Sequence, residues 1–339
     1  MAEMTTGMTK RERLLAAIRG QAVDRPPVAL WRHFPGDDQR PEDLAAATVD
    51  FQRRYDFDFV KVTPSSSFCL RDWGTQDVWR GNVEGTRDYD DCPIKSPQDW
   101  QGLRSLDPEQ GSLGAQLRCL RLIAGEMGDE VPFIQTIFSP LSQAKNLVGR
   151  ERLLVHLRRY PDAVRAGLDT ITETTVRFVE AARATGIAGV FYAVQHAQYG
   201  LLGQQEYAAF GRPDDLRILE AAQDLWLNVL HLHGTEVMFD LLADYPVQVV
   251  NWHDRDTPPT LAEGQRRWAG AVCGGLQRWD VVVRGTPAQV IEQATDAIAQ
   301  TAGRRFILGT GCVTPIVAPT SNVRAAREAV EVGRRSMSS

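Results

Sequence analysis

Apolar residues along this chain gather into short unbroken runs instead of alternating with polar ones. Eight such runs occur, at 27–31, 57–63, 131–137, 188–194, 228–233, 247–252, 270–276 and 305–309. A short run that is apolar throughout marks a strand buried on both faces, as in a parallel sheet covered by helices. Between most runs the period lengthens to that of a helix. In 161–185, Val164, Leu168, Ile171, Thr175, Phe178 and Ala182 keep one face, Pro161 suits the first helical position, and Gly186 ends the pattern. Thr9 with Glu12, and Thr286 with Gln289, read as capping boxes that open two further helices.

Eight strands alternating with helices predict a (β/α)₈ TIM barrel in a single domain spanning 1–339, with an open doubly wound sheet as the alternative. One stretch breaks the rhythm. Residues 69–108 follow the second run, are rich in Trp, Asp, Gly and Arg, and are too long for an ordinary connection. Because they leave the end of a strand, they are expected to lie as an insertion over the C-terminal face, where barrel active sites form.

Composition narrows the partners. Of 339 residues, 43% are hydrophobic and 24% charged, which is ordinary for a globular enzyme, and the net charge of −5 comes with no basic run. Nothing there invites nucleic acid or an anionic membrane. No stretch is long and apolar enough for a membrane span or a signal peptide, and the five scattered cysteines suggest no disulfide framework. These features predict a cytoplasmic protein acting on a small-molecule substrate.

The chemistry gathers at predicted strand ends. His231 and His233 stand two apart at the end of the fifth run, so both imidazoles can reach one point inside the barrel mouth. Two imidazoles need a third donor to form a catalytic zinc site with an open position, and Cys312, just past the eighth run, is the best placed. The same spacing also fits a packed histidine, a loop-bonded histidine and a buried cysteine, so spacing alone leaves both readings open. Arg32 and His33 follow the first run, Gln195, His196 and Gln198 the fourth; Asn251 stands at the end of the sixth, with His253, Asp254 and Asp256 after it. Five of the six histidines thus fall on the expected rim, which favours an active site there. Arg32 and His196 are the catalytic candidates; His33, Gln195, Asn251 and His253 are the substrate-binding ones. Walker-type loops, G-x-S-x-G and HExxH are all missing from the sequence.

The capped opening followed by Asp24-Arg25-Pro26-Pro27-Val28 resembles the uroporphyrinogen decarboxylase superfamily. So do Trp73-Gly74, Pro93-Ile94-Lys95-Ser96-Pro97, His231 to Gly234, Asn251-Trp252, Gly274-Gly275-Leu276 and Gly309-Thr310-Gly311-Cys312. That superfamily holds porphyrin-pathway decarboxylases and zinc- and cobalamin-dependent methyltransferases. The decarboxylase groups are poorly matched: Ser65 stands near the place of an essential aspartate, Gly36 replaces an arginine, and Thr310 replaces a histidine. The methyltransferase pattern of His-x-Cys plus a later Cys becomes His231, His233 and Cys312. The resemblance therefore implies a zinc-dependent methyltransferase acting on a thiol or alcohol, with a methylcorrinoid on a separate protein as donor. Two alternatives stand beside it: a metal-free decarboxylase in which Arg32 clamps a carboxylate, and a non-catalytic barrel that binds a tetrapyrrole or corrinoid.

Overall fold

A computed structural model of the chain describes residues 7–337. Nine strands form in chain order: β1 (Val60–Val62), β2 (Gln76–Val78), β3 (Asp88–Asp91), β4 (Phe133–Phe138), β5 (Gly189–Val194), β6 (Val229–Leu232), β7 (Val249–Trp252), β8 (Ala271–Leu276) and β9 (Phe306–Thr310). Seven of them make one parallel sheet in the order β1-β4-β5-β6-β7-β8-β9. Each sits within one of the apolar runs or overruns its end by a single residue. β5 to β9 are buried along their whole length, as strands covered on both faces must be.

The first run does not form a regular strand. Residues 27–31 contribute a single parallel bridge, Val28 to Leu308, flanked by Ala29 N–H donating to Leu308 O (3.0 Å) and Leu308 N–H to Pro27 O (2.8 Å). On its other side, Val28 O accepts from Asp58 N–H (2.9 Å), and the Asp58 carboxylate accepts from Val28 N–H (2.8 Å). The two prolines before Val28 lack N–H donors, so a longer ladder cannot form there. Asp58 is fully buried and also meets Arg13 Nη1 and Arg25 Nη1, each at 2.7 Å. A charged knot thus ties the first helix and the Asp24-Arg25-Pro26 turn to the segment lying between the two sheet edges.

Helices cover the sheet where the periodicity placed them. Both capping boxes are present, at Thr9 and at Thr286. The helix Pro161–Arg183 buries the expected face, and Gly186 follows it at φ +89°. A further helix spans Gly111–Met127. Residues 69–108 are not a bare loop: β2 and β3 pair as an antiparallel hairpin, and Trp100 anchors the segment, fully buried with its Nε1–H donating to His156 Nδ1 (2.9 Å). Its ring packs on Gly167 so closely that a Cβ there would stand 2.3 Å from Trp100 Cε3.

This contact makes a stability prediction. Gly167→Ala should cost about 1–3 kcal/mol by overpacking, despite the better helix propensity of alanine. Gly125→Ala, on the exposed side of Gly111–Met127 with open space around it, should instead gain about 0.4–1 kcal/mol. Urea unfolding of the two variants decides it; equal midpoints would refute the packing argument. Among the described residues no helix is long and apolar enough to cross a membrane.

Candidate metal centre

β6 delivers His231 and, one residue past its end, His233 on the same side of the chain, their ring centroids 5.7 Å apart. His253, just beyond β7, comes alongside at 6.0 Å from His231 and 5.3 Å from His233. Cys312, two residues past β9, completes the group with Sγ 3.7 Å from His233 Nδ1. One donor atom from each of the four lies within 4.8 Å of all the others. Tetrahedral bonds of 2.0–2.3 Å put ligand atoms roughly 3.3–3.8 Å apart, so small side-chain adjustments would let them share an ion.

The surroundings prepare these donors. His231 Nδ1 lies 2.7 Å from Asn251 Oδ1. The Asn251 amide is oriented by its own NH₂, which donates to Cys273 O (2.8 Å) and Thr310 O (3.0 Å). Its oxygen therefore accepts from His231 Nδ1–H, and the lone pair falls on Nε2, the tautomer a metal ligand needs. His253 Nε2 is buried without a hydrogen-bond partner, while its Nδ1 lies 3.7 Å from Asp256 Oδ2. Burial alone would push the Cys312 thiol up, but the surrounding imidazoles of His231, His233 and His253 outweigh it and hold the thiol well below its ordinary value. Burial pushes His231 down, toward the neutral ring.

Gly309 and Gly311 serve close approach, since neither takes a positive φ. A Cβ on Gly311 would lie 2.7 Å from His253 Cα and from Trp252 O, and one on Gly309 would lie 3.0 Å from Ala29 O and from Cys273 Sγ. Only glycine lets the chain after β9 pass close enough to the end of β7 for Cys312 to reach His253.

The cluster forms one wall of a cavity of about 100 Å³. Its lining follows the two-residue period of extended chain: Trp31 with His33, Lys61 with Thr63, Phe191 with Ala193 and Gln195, and His231 with His233. Glu84 and Thr86, from the segment after β2, also face it. The alternation explains which expected residues do not. Arg32, between Trp31 and His33, points the opposite way, over the rings of Phe34 and Phe51, and lines a separate cleft with Asp50 and Arg54. His196, next to Gln195, is likewise turned from the cavity and buried, with Nδ1 unpartnered. Asn251 lies behind His231, and His253 belongs to the donor cluster.

Of the cavity residues that the sequence did not single out, Lys61 stands out chemically. Lys61 sits inside an apolar run and reads as an interruption of it, yet its parity with Thr63 could have placed it inward. It is buried, its Nζ lies 3.2 Å from Thr63 Oγ1 and 4.6 Å from the Phe191 ring centroid, and burial pushes it down to about 7.

The family model described as uroporphyrinogen decarboxylase (URO-D) matches residues 9–332. The chain belongs to the uroporphyrinogen decarboxylase family. Two similar proteins are methylcobamide:CoM methyltransferases MtbA, from Methanosarcina acetivorans (22% identical) and Methanosarcina mazei (23%). Each alignment covers 94% of this chain and 96% of the relative. Among solved structures, a methyltransferase from Methanosarcina mazei superposes with a TM-score of 0.84 at 18% identity, over 98% of this chain and 100% of that one. A B12-independent methionine synthase from Shewanella sp. W3-18-1 gives 0.59 at 12% identity, over 92% and 94%. These likenesses show a shared fold. Within the family, this chain puts Ser65 and Thr310 to structural use: Ser65 Oγ lies 3.3 Å from Ser67 Oγ, and Thr310 Oγ1 donates to Cys312 O at 2.5 Å.

Proposed function

We propose that this protein is a zinc-dependent methyltransferase of the uroporphyrinogen decarboxylase family. Its acceptor would be a small thiol or alcohol, and its methyl donor a methylcorrinoid carried on a separate protein. The observation that carries the reading is the convergence of His231, His233 and Cys312 with His253 at one wall of a small cavity. The kinship with methylcobamide:CoM methyltransferases supports the reaction class. In this reading 1–339 is one barrel in which residues 27–31 take the place of an eighth strand, and 69–108 fold across the mouth of the site.

The donor set fits zinc: two imidazoles and a thiol favoured as thiolate, with one imidazole already locked in the ligating tautomer. His231, His233 and Cys312 would hold the ion. When bound, zinc lowers the pKa of a coordinated thiol or alcohol and so supplies the nucleophile. His253 adds an imidazole to the donor group without lining the cavity, its Nδ1 3.7 Å from Asp256 Oδ2. Phe191 and Trp31 exclude water, so that positioning across the cavity mouth supplies part of the rate.

The direct test is incubation of the zinc-loaded protein with methylcobalamin and a panel of small thiols, following loss of the methylcobalamin absorbance. Thiol-dependent demethylation that a chelator removes is expected; demethylation unaffected by the chelator would overturn the reading. The competing decarboxylase reading relied on Arg32 as a carboxylate clamp, and Arg32 faces a different cleft. Because Ser65, Gly36 and Thr310 stand where uroporphyrinogen decarboxylation wants an aspartate, an arginine and a histidine, we also expect no coproporphyrinogen from uroporphyrinogen at an enzymatic rate, and product analysis by chromatography checks it.

A further inference from the structure

Arg32, turned away from the metal-binding wall, faces a second and larger space. This cleft of about 340 Å³ opens between the helices Pro41–Tyr55 and Thr320–Met337, and it shares no lining residue with the cavity beside His231 and Cys312. The two lie back to back on the same segments. Trp31 and His33 face the cavity, and Arg32 and Phe34 face the cleft. Thr314, which follows Cys312 and Val313, also lines the cleft, and its N–H donates to Trp31 O at 2.8 Å. The volume falls in the usual range for small-molecule sites, about 300–1,000 Å³.

The inner end of the cleft is polar and unsatisfied. Thr314 is 0% exposed, and its Oγ1 has no hydrogen-bond partner in the protein. Arg32 is half-buried, gives one N–H to Ile316 O (3.3 Å), and among the described residues forms no ion pair, its buried Nε lacking any partner. Leaving such groups unmatched costs free energy that a bound oxyanion would offset. The first turn of Thr320–Met337 lines the same cleft through Thr320 and favours the same charge. The rim carries both signs. Asp37 and Asp50 are exposed there beside Arg54, and among the described residues neither acid pairs with a cation. Asp37 lies near enough for its charge to act on Arg32 without forming an ion pair with it. The cleft thus presents a cation and an anion that do not neutralise each other, with Phe51 and Tyr55 supplying apolar surface.

We propose that this cleft is a second ligand site, and that its occupant is an α-amino acid with an apolar side chain. Arg32 and the Thr314 hydroxyl hold its carboxylate, Asp37 holds its ammonium group, and its side chain rests on Phe51 and Tyr55. A single carbon separates the two charges of such a molecule, which suits a guanidinium and a carboxylate that lie close without meeting. None of these residues belongs to the metal-binding wall, so the site stands or falls independently of the zinc reading.

The test is calorimetric and needs no turnover. The full-length protein is titrated with L-valine, L-leucine and L-phenylalanine, each beside its N-acetyl and amide derivatives, which remove one charge and keep the side chain. At least one of the three amino acids should bind, and loss of either charge should weaken it at least about tenfold, the worth of one charge-assisted hydrogen bond. Arg32→Met should abolish binding, and Asp37→Asn should erase the preference over the N-acetyl derivative. Circular dichroism and the urea midpoint show whether each variant is folded; if Arg32→Met is not, Thr314→Val carries the comparison and should weaken binding in the same direction. An N-acetyl derivative that binds as tightly as its parent overturns the proposal, leaving a plain carboxylate site. Binding that survives the loss of Arg32 overturns it too, as does the failure of all three amino acids to bind at millimolar concentration.

Discussion

Replacing Cys312 with alanine is expected to strip the protein of stoichiometric zinc, from about one ion per chain to a small fraction of that, because the donor group loses its only thiolate. His231→Ala and His233→Ala should do the same. Asn251→Leu should act more mildly: it keeps all the ligands but frees the His231 ring, and losing such a partner typically costs about 10–100-fold in affinity. The ordering is the informative part, since a histidine merely packed in the core would not make zinc content depend on Cys312, which lies 81 positions along the chain from it. Elemental analysis of the dialysed variants, with a competing chelator to set the free zinc concentration, reads it out. Zinc retained in full by Cys312→Ala would remove the main support for the methyltransferase reading and bring a metal-free lyase forward.

A second large effect is expected far from the site. Asp58→Ala leaves Arg13 and Arg25 buried beside a void, with Val28 N–H unpaired. Breaking a buried pair by removing one partner costs about 3–5 kcal/mol, mostly the penalty of the stranded charge. Two arginines share this carboxylate, which argues for the upper part of that range. Arg13 also meets Asp24, at 2.7 Å, and Arg25 meets Glu331, at 3.0 Å, so each guanidinium keeps one counter-ion and part of the loss is buffered. Urea unfolding of Asp58→Ala measures the cost. A double variant that also replaces Arg25 with methionine should recover part of it, because one of the two guanidiniums left facing the void is gone. A loss below about 1 kcal/mol would mean that the knot contributes little to holding residues 27–29 between the sheet edges.

Much of this architecture is written in local pattern. Seven of the apolar runs became strands of one parallel sheet because continuous burial on both faces admits little else; Thr9 and Thr286 opened helices through capping boxes, and Pro161 did so by fixing φ at the first helical position. His231 and His233 were legible for the same reason, since a two-residue period fixes their common side whatever the rest of the fold does.

What local pattern could not supply was everything that depends on which segments become neighbours. Residues 27–31 look like a strand in isolation, yet their prolines and the Asp58 carboxylate reduce the pairing to one bridge. His253 joined the donor cluster, where substrate contact had been expected, because the chain turns sharply after Trp252 and Gly311 allows the chain after β9 to come within van der Waals distance. Arg32 and His196 were expected at the pocket from their position in the chain, but alternation along extended backbone turned them away while bringing in His33 and Gln195. Lys61 is the clearest case. By composition it is a charge interrupting an apolar run, and only the closing of several strands around one cavity makes it a buried amine on the same cavity as His231, His233 and Cys312. The sequence by itself determined which residues form strands and which side of each strand they share; the tertiary structure decided which of those sides meet, because that depends on contacts between residues far apart in the chain.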